Sequence, residues 1–347
     1  MFVGGAALTK KFTATRIAPE YDGVTLYARD AMDGLDLANR LFSPTMRAEL
    51  IARIRREQSA LAAAPPPAAM AVPVDTTAPP RPRLCRATVA TPPDLEAHVL
   101  RDVRLDHIYP YLNLQMLYGK HLGLRGLVSR LFEGDDPRAL ELREIVRALQ
   151  ADAAREGLVR AHGLYRWFRA RGEGDNLRIL DGSGSEIAHF AFPRQPEGER
   201  LCLADFVRDD VDDCVAAFAV TCGEGVREQA QRLMERGEYL RSHALQALAI
   251  ECAEAFAEML HTRLRTLWGF PDPAEVTIAD RLKGRYRGVR VSFGYPACPN
   301  LADQATLWKL LRPEQIGLAL TDGFMMDPEA SVSALVFHHP EARYFKA

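Results

Sequence analysis

Between residues 60 and 83 the chain runs through a tract that no hydrophobic core can absorb. Ser59-Ala-Leu-Ala-Ala-Ala-Pro-Pro-Pro67 is followed by Ala78-Pro-Pro-Arg-Pro82. Proline fixes φ and removes a backbone donor, and alanine brings little apolar area, so the tract reads as a semi-rigid extended linker. A chain of 347 residues has room for about two domains. The tract divides it into a short piece, 1–58, a linker, 59–90, and a long piece, 91–347.

The short piece is smaller than a complete domain of its type. Met1-Phe-Val-Gly4-Gly5-Ala6 reads as a buried strand entering a tight turn, Thr9–Ala18 as a helix and Val24-Thr-Leu-Tyr27 as a second strand. Helices are expected over Ala31–Leu41 and Pro44–Arg56. Strand, helix, strand, helix is the pattern of a doubly wound α/β sheet, with its earlier strands missing. Either another polypeptide supplies them, or the chain is a fragment or begins at a misplaced start.

The long piece reads as α+β, a mainly antiparallel sheet flanked by helices. Helices are expected over Leu124–Phe132 and Pro137–Glu156. Leu164–Arg171 and Leu177–Leu180 read as strands of a hairpin through Gly172-Glu-Gly-Asp175, and a further turn at Asp181-Gly-Ser-Gly184 extends it to a meander. Cys214-Val-Ala-Ala-Phe-Ala-Val220 is apolar throughout, as a central strand covered on both faces must be. Glu224–Trp268 reads as two helices broken near Gly237, and Ser331–Phe337 as another strand.

Charge and cysteine spacing narrow the function. A formal net charge of −2 argues against nucleic-acid binding, which needs a basic excess. No run approaches the roughly 18 apolar residues of a membrane span, and Met1–Lys11 lacks the regions of a signal peptide. Among Cys85, Cys202, Cys214, Cys222, Cys252 and Cys298 there is no C-x-x-C pair, so no structural zinc site is expected and a reducing cytoplasm is the natural setting.

The most chemically suggestive run is Arg290-Val-Ser-Phe-Gly-Tyr295-Pro-Ala-Cys-Pro299. Two prolines exclude a core strand, leaving a shaped loop that carries one Arg and one Tyr. An Arg fork grips a carboxylate through two parallel hydrogen bonds, which suits a small anionic or zwitterionic ligand; the plainer reading is a surface Arg and a packed Tyr. Glu251, Glu254, Glu258 and His261 fall near one helix face. Leu248, Cys252, Ala255, Phe256, Met259 and Leu260 mark the core side, with the acidic row beside it, so one Glu lining a ligand cleft is favoured over a metal cluster. His338 and His339 are adjacent on a strand and point to opposite faces, which favours a structural role. Asp181–Gly184 and Cys222-Gly-Glu-Gly225 lack the Lys-Ser/Thr of a P-loop and read as turns. No nucleophile elbow or general base is visible.

The long piece resembles the reactivation domain, which binds S-adenosylmethionine, of the cobalamin-dependent methionine synthase family. The resemblance runs from about Leu105 to Phe345 and is carried by Leu203-Ala-Asp-Phe206, Ala217-Phe-Ala-Val-Thr221, Ala253–His261, Gly288–Pro299, Ala305-Thr-Leu-Trp308, Ala330-Ser-Val-Ser333 and His339–Phe345. It implies a C-shaped fold with a shallow cleft. Arg290 would hold the ligand carboxylate, Ser292 offer backbone contacts, and Tyr295 line the methyl-transfer path. Tyr344 and Phe345 would close the edge, and Glu254 would act at the same site. The family's ligand-binding Asp, three residues before a Pro, falls here on His107, with Asp106 beside it.

Val3-Gly4-Gly5-Ala6, Thr13-Ala14 and Tyr27-Ala-Arg-Asp-Ala31 resemble the end of the same family's cobalamin-binding domain. Gly4, Gly5 and Ala31 would then lie against the cofactor's nucleotide tail. The Asp-x-His-x-x-Gly run that ligates cobalt is absent, as are the folate domain and the zinc site of the homocysteine domain. The resemblance implies the C-terminal part of methionine synthase, acting in reductive remethylation of oxidised cobalamin. Its partners would be the cobalamin-binding and homocysteine/folate domains, on the same or another chain, and a flavodoxin-like reductase. The alternative is a stand-alone S-adenosylmethionine-binding or docking protein without catalysis.

Overall fold

The computed structural model describes residues 1–4, 10–28, 31–43, 45–63, 82 and 84–347. The expected linker therefore falls largely outside the described residues, as does Gly5. The chain divides into two compact units, Met1–Pro79 and Pro80–Ala347.

In the first unit, β1 (Phe2–Gly4) and β2 (Leu26–Ala28) pair in parallel, with Phe2 opposite Leu26 and Gly4 opposite Ala28. Parallel pairing requires a crossover, supplied by a helical turn, α1 (Lys10–Phe12), which continues as Thr13–Ile17. Two helices follow, α2 (Ala31–Phe42) and α3 (Arg47–Ala63). Leu26, Leu37, Leu50 and Ile54 form a small core of their own.

The second unit is built on antiparallel strands. β3 (His98–Leu100) pairs with one edge of β4 (Arg160–Glu173), and farther along that edge β4 pairs with β5 (Asn176–Leu180). The sheet continues through β6 (Glu186–Ala191) on one side. On the other side come β7 (Asp213–Glu224), then β11 (Ser331–Phe337), then β8 (Val289–Val291) at the edge. A small separate pair, β9 (Ala319–Leu320) and β10 (Met326–Asp327), lies between β8 and β11 in the chain.

Two cores explain why the Cys214–Val220 stretch of β7 is apolar throughout. Ala216, Phe218 and Val220 face a layer of helices, while Val215, Ala217 and Ala219 face a second core that includes Phe206, Trp308 and Phe337. Alternate residues on a strand point to opposite faces, so a strand covered on both sides shows no polar alternation.

The helical layer is α4 (Leu105–Ile108), α5 (Val128–Glu133), α6 (Pro137–Glu156), α7 (Val226–Glu235) and α8 (Tyr239–Leu267). The bounds of α6 are set by local chemistry. Asp136 accepts from the Ala139 N–H, Pro137 opens the first turn, and Gly157 closes the helix in the left-handed region. The helix expected from Leu124 begins only at Val128, because Leu122 and Leu124 are buried in an irregular segment that passes through Gly123 and Gly126 at positive φ. The break near Gly237 separates α7 from α8 as expected. Two shorter helices complete the unit, α9 (Ile278–Arg281) and α10 (Gln304–Leu311). No described helix is long and apolar enough to cross a membrane.

Residues 84–90, at the end of the expected linker, are tied into the second unit. The Cys85 N–H donates to Glu341, the Cys85 carbonyl meets His339 Nε2, and the Ala87 and Ala90 carbonyls accept from Arg208 and Trp268.

Candidate functional site

Arg290 sits at the centre of β8, opposite Val336 of β11. The strand is entered through Gly288 at φ 81°, where an added Cβ would run into the Phe337 carbonyl. Beyond β8 the chain closes on itself. The Cys298 N–H donates to the Tyr295 carbonyl at 2.9 Å, and the Gly294 N–H to the Cys298 carbonyl at 2.9 Å. Phe293, Ala297 and Cys298 are buried anchors, which leaves Tyr295 63% exposed at the loop tip. This is the shaped loop that Pro296 and Pro299 predict.

Beside it lies a cavity of about 320 Å³. Glu254 reaches it from α8, Arg290 to Ser292 from β8 and its end, Tyr295 to Ala297 from the loop, and Arg343, Tyr344 and Phe345 from the C-terminal segment. The structure thus brings Arg290, Glu254, Ser292, Tyr295, Tyr344 and Phe345 together on one wall system, as the sequence reading expects. Arg343 was missed, although it sits inside the His339–Phe345 run. Its guanidinium pairs with Glu199 and donates to the Glu341 carbonyl.

The electrostatics centre on Arg290. One of its terminal nitrogens, Nη2, lies 3.4 Å from Glu254 Oε2, and its Nε lies 3.6 Å from Glu258 Oε2. Burial works against the cation, but Glu254, Tyr344, Glu258 and Tyr286 outweigh it and hold the pKa above the ordinary arginine value. Burial raises the Tyr295 phenol, with Glu254 adding to the rise, so the ring enters the cavity as a neutral group.

Beneath Arg290 lies a second charged cluster. Arg265 binds Asp272 through two hydrogen bonds of 2.6 and 2.7 Å, Arg281 Nε adds a third of 2.8 Å, and the Arg265 guanidinium lies 4.1 Å from the Tyr286 ring centre. Tyr286 meets Tyr344 hydroxyl to hydroxyl at 3.5 Å.

The acidic row of α8 is deeper than its spacing suggests. Glu251, Glu258 and His261 are buried, and only Glu254 opens to the cavity. His261 touches Tyr286 edge to face at 5.0 Å, and burial, with Arg265 and Arg290 nearby, drives its pKa far below the ordinary histidine value. A neutral, buried His261 packs against Tyr286. Among the described residues no group of three or more His, Cys, Asp or Glu side chains is arranged to hold a metal ion.

The remaining expected positions lie elsewhere. Asp106 is paired with Arg104, which lowers its pKa, and neither Asp106 nor His107 is part of the cavity wall. His338 meets Asp213 at 2.6 Å while His339 reaches the Cys85 carbonyl, two separate structural anchors. Asp181 accepts from the Ser183 and Ser185 N–H groups, which makes its glycine-rich run a side-chain-closed turn. In the first unit, an added Cβ at Gly4 would run into the Ala28 carbonyl, so its smallness already serves the pairing of β1 with β2. Ala31 begins α2.

An α+β domain whose cleft is walled by Arg290, Glu254, Arg343 and three aromatic rings has the make-up of a small-molecule site. Comparison with known proteins gives the family. The vitamin B12 dependent methionine synthase activation domain matches residues 104–347, and the chain belongs to this family. It is 31% identical to the methionine synthase of Mycobacterium tuberculosis over 383 aligned residues, covering 99% of this chain and 32% of that protein. For the methionine synthase of Mycobacterium leprae the figures are 29% over 381 residues, 99% and 31%. The chain therefore spans about a third of the length of these relatives. Among solved structures, the MetH reactivation domain bound to AdoHcy superposes with a TM-score of 0.70 at 28% identity, covering 75% of this chain and 83% of that one.

Proposed function

We propose that the chain is the C-terminal part of a cobalamin-dependent methionine synthase, and that its second unit holds S-adenosylmethionine for reductive remethylation of oxidised cobalamin. The observation that carries this reading is the cavity itself. One partly buried Arg, one half-open Glu and two Tyr rings meet in a space near the lower end of the range for small-ligand sites, about 300–1,000 Å³. A zwitterionic amino acid with a large aromatic body fits that inventory: Arg290 takes the carboxylate in a forked pair, Glu254 matches the ammonium in charge, and the rings cover the adenosine. The AdoHcy held by the structural neighbour has the same zwitterionic end and adenosine.

In this reading the protein binds and orients, and it keeps the sulfonium methyl accessible beside the exposed Tyr295 and Tyr344. Cobalamin would be shared with a part of the enzyme outside this sequence, which would supply the cobalt ligand. The described residues supply no Asp-x-His-x-x-Gly cobalt ligand, and Gly4 is accounted for by its own strand pair. The partners are the cobalamin-binding and homocysteine/folate domains, together with a flavodoxin-like reductase. Residues 1–58 are read as the end of the cobalamin-binding domain and 91–347 as the reactivation domain.

The test is reconstitution. The chain is mixed with a cobalamin-loaded methionine synthase lacking its reactivation domain, a one-electron donor and S-adenosylmethionine labelled in its methyl group. Label appearing on cobalamin only when this chain is present is the expected result. No transfer above the chain-free control would contradict the proposal.

A further inference from the structure

Arg290 is buried on one side and open to the cavity on the other, and the two sides face different carboxylates. On the open side is Glu254, 47% exposed, at a long 3.4 Å. On the closed side is Glu258, one helical turn further along α8 and 6% exposed, whose Oε2 lies 3.6 Å from Arg290 Nε. That Nε is buried and makes no hydrogen bond, and the other Glu258 oxygen is equally unpartnered. The second cation near Glu258 is Arg265, 4.0 Å away, and Arg265 is already committed to Asp272 through two short hydrogen bonds. Burial raises the pKa of the Glu258 carboxyl, Arg290 is the strongest of the cations that oppose the rise, and the carboxyl is left to face Arg290.

We propose that Glu258 is a positioning residue that holds the Arg290 guanidinium from beneath, so that its outer edge stays turned to the cavity for a ligand carboxylate. The inference rests on the reading of Arg290 as the carboxylate anchor. Without Glu258, the buried flank of Arg290 faces the neutral His261 and Tyr286 rings, and the nearest remaining countercharge is Glu254. The guanidinium would then close onto Glu254, and the two groups meant for the ligand would occupy each other. A buried cation that loses its buried partner reorganises at a cost large enough to register in binding.

The experiment is a calorimetric titration of the full chain and its Glu258→Gln variant with two probes. The first is S-adenosylmethionine. The second is its decarboxylated analogue, which keeps the sulfonium and adenosine and lacks the carboxylate. The expected result is about tenfold weaker binding of S-adenosylmethionine to the variant and a clearly smaller loss for the analogue, whose ammonium competes with Arg290 for Glu254 but which has no carboxylate to lose. Adding Glu258→Gln to an Arg290→Gln chain should then cost nothing further.

Equal weakening of both probes would mean a general structural effect and would overturn the role. So would unchanged affinity for S-adenosylmethionine. If the unsubstituted chain shows no preference for S-adenosylmethionine over the analogue, the anchor reading of Arg290 falls, and this proposal with it. Should Glu258→Gln fail to fold, Glu258→Asp keeps the charge but draws it back by one methylene. It should lose S-adenosylmethionine affinity selectively and to a smaller extent, and a non-selective loss would count against the proposal.

Discussion

A guanidinium offers five donors, and the long contacts to Glu254 and Glu258 neutralise Arg290 without tying up its fork. Arg194, by contrast, is locked to Asp205 by bonds of 2.6 and 2.7 Å and has nothing left to give a ligand. The difference was not visible in the sequence, where both are single arginines. Motif context singled out Arg290, Glu254 and Tyr295, whereas counting back from Pro110 led to Asp106 and His107, which lie away from the cavity. Asp106 is paired with its neighbour Arg104, and neither it nor His107 lines the cavity.

Glu251 carries a prediction at the same scale. Burial raises its carboxyl to about 7, with Glu254 adding and Lys120 opposing, and His121 is its hydrogen-bond partner at 2.9 Å. The folded chain holds this proton to higher pH than the unfolded chain does. The contribution of Glu251 is thus complete below the ordinary carboxylate range and is lost as pH rises through about 7. His121 shifts the opposite way, because burial lowers its pKa, so only a difference measurement isolates Glu251. Glu251→Gln should leave the melting temperature nearly unchanged at about pH 4.5 and raise it at about pH 8, by on the order of 2 kcal/mol in stability. Thermal melts across that range decide it, and a pH-independent difference would refute the assignment.

At the scale of elements, legibility followed local signals. Pro137–Glu156 is bounded by a side-chain cap and a left-handed glycine, and Ser331–Phe337 by the turns around it, so both were readable from sequence with correct ends. The burial of Glu258 and His261 was not readable, because α8 is covered by β7 and β11 on one side, by α6 on another and by the Arg290 region on a third. Periodicity reports one buried face and is blind to a helix enclosed on several.

The short strand β8 depends on Gly288, where φ is 81° and a side chain would meet the Phe337 carbonyl. Gly288→Ala combines left-handed backbone strain with a clash, and should cost more than about 1 kcal/mol of stability. It should also weaken S-adenosylmethionine binding, since β8 places Arg290. Chemical denaturation and titration on the same variant test both, and wild-type values in both would show that β8 tolerates a shift.

At the scale of the whole molecule, the chain combines one unit with a large two-sided core and another whose described residues form a two-stranded sheet and a small core around Leu26, Leu37, Leu50 and Ile54. In the sequence, the Ala/Pro tract marks a break in composition between the two. The role of the residues just beyond it was not legible: Cys85, Ala87 and Ala90 bind the second unit through backbone groups, which sequence composition does not report. Those contacts fasten the start of the unit to Glu341 and His339, next to the C-terminal segment that forms the cavity edge.

The claim on which the account rests is that this cavity binds S-adenosylmethionine through Arg290. Calorimetric titration of the intact chain and of an Arg290→Ala variant measures it directly. Saturable one-site binding by the intact chain, weakened at least about a hundredfold in the variant, is the predicted result, as expected for a charge-assisted pair lost from a partly buried site. Saturable binding of equal strength to both chains would contradict the account, because the ligand would then be held without the residue around which the cavity is organised.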